Sequence, residues 1–373
     1  MPASPSSSSG DDDMWTRRLD FDGGISLAVR EEWHAGIGGT VWQGAIIAGR
    51  WLASPAFTAA RVGALGKGVG GGGGGRRAIE LGAGVTGVPS LVLAALAART
   101  GCVREIFVTD TEECMEGLAA AVRANAPGGA RVEVGGIAEG EGAAASQPAS
   151  SQPAEPPHLG DGWALPRSVV EAVVGQARPD GSLEPGPPGP PPALPPGTAA
   201  SQAPTCQPSQ LPQPPPHQHP LTLRVARLDW ADVTPPLVAA PVSAGGLGGP
   251  FDLVLVADCV YHPPAMASLV RALRLLTAPA GGQAVLAFYE RSRPAAAAFW
   301  PRLRCAFDVT HMPASTYGCP GADDVQPRPD GSPGPTVGMF DLRRVEDSEF
   351  ERREAERAAA EERQAAAEEV TGA

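Results

Sequence analysis

The string ELGAG, Glu80–Gly84, places an acid at the end of a short apolar run and two glycines directly after it. Glycines there let the backbone turn tightly from a strand into a helix and approach a ligand closely, which makes a nucleotide pocket at the helix N-terminus. The same string also fits an ordinary strand-to-helix turn. Asp110 closes the next apolar run, EIFVT. A carboxylate there can accept from both hydroxyls of a ribose, or simply begin the following helix. LDW, Leu228–Trp230, offers an aromatic face for adenine or a ring that packs the sheet edge. ADCVY, Ala257–Tyr261, ends the most buried-looking run, with Asp258 facing the ligand crevice or capping the next helix. The glycine turn and Asp110 would serve NAD and S-adenosylmethionine alike.

Positioning these residues requires a regular frame. Ser26–Trp33 alternates as a strand does, and Thr40–Ser54 carries Val41, Ala45, Ile46, Ala48, Trp51 and Leu52 on one side at the helical period. Ala78–Leu81 reads as a buried strand, and Val88–Arg99 as an apolar helix with Pro89 in its first turn. Glu105–Thr109 is a strand. Thr111–Asn125 is a helix with Met115, Leu118, Ala119 and Val122 at helical spacing. Leu221–Trp230, Phe251–Asp258 and Gly282–Glu290 read as strands, and Ala265–Leu276 as an amphipathic helix. AAAAFWPRLRC reads as a helix interrupted at Pro301, with FDVTHMP and GMFDLRR as closing strands. Such alternation means a parallel sheet with crossover helices.

The chain has 373 residues, but many of its 47 Gly and 41 Pro fall in tracts that bury too little apolar surface to offset ordering entropy. One α/β core remains. Residues 1–13 read as a disordered tail and 14–345 as the domain. A Pro/Gly/Ala-rich insertion interrupts it at about 135–220, and 346–373 form a charged Ala/Glu/Arg-rich tail, a solvated helix or a frayed end. Within the insertion SVVEAVV, Ser168–Val174, could form a short helix, and the glycine run GVGGGGGGRR reads as a flexible loop. The net charge of −12 with no basic stripe argues against a nucleic-acid partner. Six scattered cysteines without a CxxC pair read as free thiols in a reducing compartment. No apolar run approaches the roughly 20 residues of a membrane span, and the N-terminus lacks an apolar signal region. A cytoplasmic protein is expected, with the nucleus open. His217 and His219 lie in low-complexity sequence without a partnering Cys or Asp, so no metal site is expected.

The ordered set VWQGA, ELGAG, VTD, LDW and DCVY, followed by VLAFYERSR, FW and a late F-x-V, resembles methyltransferase family 16. These are the seven-strand protein-lysine methyltransferases, and the likeness is close to the methyltransferase-like protein 21 group. It covers about Arg18–Arg344 without the insertion. The resemblance implies a Rossmann-like, seven-stranded class I S-adenosylmethionine-dependent methyltransferase fold, three-layer α/β/α, with its last strand antiparallel. It implies S-adenosyl-L-methionine contacts from Trp42, Glu80, Gly82, Ala83, Gly84, Asp110, Trp230 and Ala257. It also matches a D-x-x-Y signature, tied to the substrate-lysine side of the pocket, to Asp258 and Tyr261 as catalytic residues. ELGAGVTGVPSL carries one residue more than the family loop, at Val85 or Thr86, which puts contacts beyond Gly84 in question.

On that reading Asp258 orients the incoming amine or the cofactor's ammonium, and Tyr261 walls the lysine channel and donates a hydrogen bond. The expected partner is a lysine-bearing protein, since the family's substrates include chaperones and translation factors. Neither a nucleic acid nor a membrane is expected, and a monomer is. Four rivals stand beside this reading. A nucleic-acid amino-methyltransferase would carry its prolines before the aromatic, whereas DCVYHPP carries them after. An NAD-dependent oxidoreductase would need a separate catalytic module. A small-molecule methyltransferase shares the fold. A non-catalytic scaffold could recruit partners through the proline tract.

Overall fold

Strands buried on both faces need near-continuous apolar runs, and four such runs form the centre of the sheet. The computed structural model describes residues 14–58, 76–135, 220–317 and 337–371, all within one compact unit. The central strands are β3 (Arg77–Leu81), β4 (Glu105–Asp110), β7 (Leu253–Ala257) and β8 (Gln283–Tyr289). With β5 (Arg131–Val134), β6 (Thr222–Arg227), β9 (Phe307–Met312) and β10 (Val337–Arg344) they make eight strands in the order β5-β6-β4-β3-β7-β8-β10-β9. All neighbours are parallel except β10, which is antiparallel to β8 and β9. A separate antiparallel hairpin joins β1 (Met14–Phe21) to β2 (Ile25–Glu32).

The helices are α1 (Gln43–Ala53), α2 (Val88–Thr100), α3 (Met115–Asn125), α4 (Met266–Leu276), α5 (Arg293–Ala306) and α6 (Asp347–Thr371), besides single turns. From β3 the crossovers through α2 and α3 step one way along the sheet, to β4 and then to the edge strand β5, with β6 filling the place between them. From β7 the crossover through α4 steps the other way, to β8. Right-handed crossovers then place the two helix sets on opposite faces. Their reversal, between β3 and β7, is where a ligand crevice opens at the carboxyl ends of the strands.

The opposite, amino edge is tied by charge. Glu105 on β4 accepts from Arg77 Nε on β3 and Arg224 Nε on β6, each at 2.6 Å. Burial pushes the Glu105 carboxyl up, but the two guanidinium groups outweigh it and hold it below its ordinary range. Arg77 also lies over the rings of Phe107 and Phe251, which meet edge to face at 5.3 Å.

The expected frame is present, with differences. The sheet has eight strands rather than seven: β5 is a four-residue edge strand directly before the position where the insertion was expected to start. β1 was not expected as a strand. Trp230 lies outside β6, in a 3-10 turn that Asp229 caps by accepting from Ala231 N. α5 runs through Pro301 without interruption, because Ala295, Phe299 and Leu303 anchor one face in the core while the proline faces solvent. The charged C-terminal segment is helical over Asp347–Thr371. Residues 1–13, most of the glycine run, SVVEAVV, His217 and His219 lie outside the described residues.

Phe107 is fully buried between the guanidinium groups and Phe251. Phe107→Ala is therefore expected to lower stability by about 3–5 kcal/mol. The check is a urea midpoint that falls while the slope of the transition stays constant.

Candidate active site

β3 ends at Leu81, and the next residues turn sharply. Gly82 and Gly84 have φ of 66° and 61°, which side-chain-bearing residues rarely adopt. Space demands glycine as well. A Cβ on Gly82 would lie 2.5 Å from Cys259 Sγ, and one on Gly84 would lie 2.7 Å from the Gly38 carbonyl. The loop is pinned from both sides: Ala83 N donates to Thr109 O at 3.0 Å and Val85 N to Gly38 O at 2.8 Å. Val85 is buried and Thr86 lines the pocket, so the extra residue is absorbed within the turn that Gly87 N closes on Ala83 O.

Glu80 points under this loop. Its Oε2 accepts from Ser90 N at 2.8 Å in the first turn of α2, whose own N-cap, Gly87, has no side chain to offer. Burial raises the Glu80 carboxyl to about 7, against the Ser90 hydrogen bonds that favour the anion. Asp110, at the end of β4, accepts from Gly84 N and from Thr111 N, each at 2.7 Å. One carboxylate thus links the glycine loop to the start of the next helical segment.

The end of β7 does the same for α1. Asp258 has φ 57°, the one positive value outside glycine among the described residues. The turn aims its carboxylate at the N-terminus of α1, where Oδ2 accepts from Gly44 N. The other oxygen, Oδ1, lies 3.2 Å from Arg291 Nη2 in an ion pair, with the Asp258 side chain 2% exposed. Burial drives the Asp258 carboxyl above its ordinary range, opposed by Arg291 and by the N–H groups of Gly44 and Ala45. Arg291 in turn stacks on Trp42, its Cζ 3.5 Å from the ring centroid. Trp42 Nε1 donates to Ile37 O at 2.7 Å.

These residues surround one cavity of about 400 Å³. All ten positions singled out by sequence line it: Trp42, Glu80, Gly82, Ala83, Gly84, Asp110, Trp230, Ala257, Asp258 and Tyr261. Gly38, Thr86, Cys114, Asp229 and Cys259 line it too, although no motif spacing pointed to them as ligand contacts. Five lining residues are carboxylic acids and none is a lysine, arginine or histidine. Tyr261 stands at the mouth, 36% exposed, and burial of its ring pushes the phenol above its ordinary range, followed by the negative surroundings.

Residues 22–135 and 219–305 match methyltransferase family 16, described as lysine methyltransferase. The chain belongs to this lysine methyltransferase family. Comparison with curated proteins finds no match. The eight-stranded sheet is the class I methyltransferase sheet, with β5 added beyond β6. The matched segments contain all ten lining positions singled out by sequence, and Arg291 as well.

Methyltransferases of this kind typically use S-adenosylmethionine, and the pocket fits that group on structural grounds. Gly82 and Gly84 line the cavity with main chain alone, and without side chains there a ligand can approach the backbone closely. The acidic lining suits a cationic ligand.

The raised Glu80 carboxyl makes stability depend on pH. Between pH 4.5 and 7 the folded protein holds a proton that the unfolded chain has released. That contribution is fully present below the unfolded value and is lost as pH rises through the folded one, by roughly 3 kcal/mol in the limit. Glu80→Gln keeps an acceptor for Ser90 N and loses the titration. The stability of Glu80→Gln relative to wild type is expected to increase across that window and level off above it, measured by urea unfolding over a pH series. A difference independent of pH would show that Glu80 titrates normally.

Proposed function

We propose that the protein transfers methyl groups from S-adenosylmethionine to the ε-amine of a lysine in a protein substrate. The observation that carries this reading is the occupation of both helix N-termini at the pocket by the protein's own carboxylates, Glu80 on α2 and Asp258 on α1. A dinucleotide places its pyrophosphate on the helix that follows the glycine turn. Here a first-turn N–H of that helix already has its acceptor in Glu80, and the remaining lining is acidic. A sulfonium and an amine, both carriers of positive charge, match such a wall.

Gly82–Gly84 would take the cofactor's backbone-facing edge, Asp110 the ribose hydroxyls and Trp230 the adenine, with Trp42 and Ala257 completing the wall. Bound there, S-adenosylmethionine supplies a methyl group on a sulfonium, an electrophile that needs no covalent enzyme intermediate. The chain's own residues have to exclude water and align a neutral amine. Alignment of this kind contributes up to about 7–11 kcal/mol in well-oriented cases. A lysine amine has a pKa of about 10.4 in water and has to lose its proton before it can react. Tyr261, its phenol raised above the ordinary value, stays protonated at neutral pH, so it walls the channel and donates a hydrogen bond rather than acting as a base. Asp258, which lines the cavity with its carboxylate paired to Arg291, would orient the incoming amine.

The direct test incubates the recombinant protein with radiolabelled S-adenosylmethionine and a cell lysate. Label on protein bands, mapping to lysine, is the expected result; label confined to nucleic acid or metabolites would overturn the reading. A second prediction concerns Asp110. Asp110→Ala removes the acceptor for Gly84 N as well as the ribose contact, so cofactor affinity is expected to fall about tenfold or more. Isothermal titration with S-adenosylmethionine measures it, and an unchanged affinity would remove Asp110 from the cofactor site.

A further inference from the structure

Arg291, two residues beyond β8, does not line the cavity, yet it touches two residues that do. Its guanidinium lies flat enough on Trp42 to bring Cζ within 3.5 Å of the ring centroid, while Nη2 reaches Asp258 Oδ1 at 3.2 Å. The ring centroid of Tyr289 lies 5.5 Å from its Cζ. The Arg291 side chain is 16% exposed. One planar cation therefore connects the segment before α1 to the ends of β7 and β8.

Both contacts need what arginine has. A guanidinium can stack on an indole through its face while its edge serves a carboxylate; a lysine ammonium is a compact point charge and cannot do both well. The restraint matters on each side. Trp42 is held at its Nε1 by the Ile37 carbonyl, and a ring held at one corner can still swing. Asp258, with its unusual backbone, has its carboxylate bound on both sides, by Gly44 N and by Arg291. Without the arginine the ring and the carboxylate would move independently, and the wall that they share would lose its shape.

We propose that Arg291 is a positioning residue, which fixes the Trp42 ring and the Asp258 carboxylate relative to one another from behind the pocket wall. The role rests on the cofactor reading given above. The test measures S-adenosylmethionine and S-adenosylhomocysteine affinity by calorimetry for wild type, Arg291→Met, Arg291→Lys, Trp42→Phe and the double variant Arg291→Met with Trp42→Phe. Arg291→Met is expected to weaken binding about tenfold. Arg291→Lys, which keeps the charge but not the stack, is expected to recover part of that loss while melting near the wild-type temperature. The double variant is expected to lose less than the product of the two single losses, because both changes act in part through the same ring.

Wild-type affinity in Arg291→Met, or losses that multiply in the double variant, would overturn the role. Should Arg291→Met fail to fold, Arg291→Lys decides: full wild-type affinity in that variant would sink the proposal. A wild type that binds neither ligand would instead overturn the cofactor reading, and this role with it.

Discussion

The pocket depends on a carboxylate that arrives from the far side of the sequence. α1 begins after Trp42, the N-cap residue, whose side chain offers no cap to the first N–H groups of the helix. Those groups need acceptors wherever water cannot reach them. Asp258, 214 residues beyond Gly44, supplies one by accepting from Gly44 N. To aim there it leaves β7 in a left-handed conformation that costs about 1–3 kcal/mol for a residue with a side chain. The cap and the ion pair to Arg291 offset that strain. Gly44 completes the fit, since a Cβ there would run into the carboxylate.

The same logic recurs at α2. Gly87 cannot cap the helix, and Glu80 reaches forward from β3 to accept from Ser90 N. The two strands that flank the topological switch thus each end in an acid that satisfies the helix beside it. This separates the site from a dinucleotide fold built on a similar strand, turn and helix. There the helix N-terminus waits for a phosphate; here it has been satisfied internally, and the pocket keeps the negative charge.

Most of this frame is legible along the chain, because β3, β4, β7 and β8 are buried on both faces and read as unbroken apolar runs. β5 is not legible: Arg131–Val134 is four residues long, half exposed and followed by glycine, so its alternation is too short to mark a strand. α5 shows the reverse error, since local rules break a helix at proline while tertiary anchoring by Phe299 and Leu303 carries it through Pro301. In the site, residues at strand ends could be read from position alone. Gly38, Cys114 and Arg291 could not, since each matters through a contact made in space. Gly38 accepts from Val85 N, Cys114 packs against Gly38, and Arg291 bridges Trp42 and Asp258. None of these contacts leaves a period or a spacing in the sequence.

An acidic pocket also sets a constraint on the chemistry proposed for it. The field that gathers cations stabilises a lysine in its ammonium form and so opposes the loss of the proton that methyl transfer requires. Desolvation pushes the other way, and the cavity holds the means for it: the wall around Trp42, Trp230 and Ala257 is largely apolar, and Glu80 and Asp258 are buried with their charge already satisfied or suppressed. The exposed acids, Glu113 and Asp229, line the same cavity and remain open to solvent. Charge in solvent steers from a distance, while the buried wall governs a group once it is inside. That arrangement attracts an ammonium at the mouth and favours the neutral amine further in.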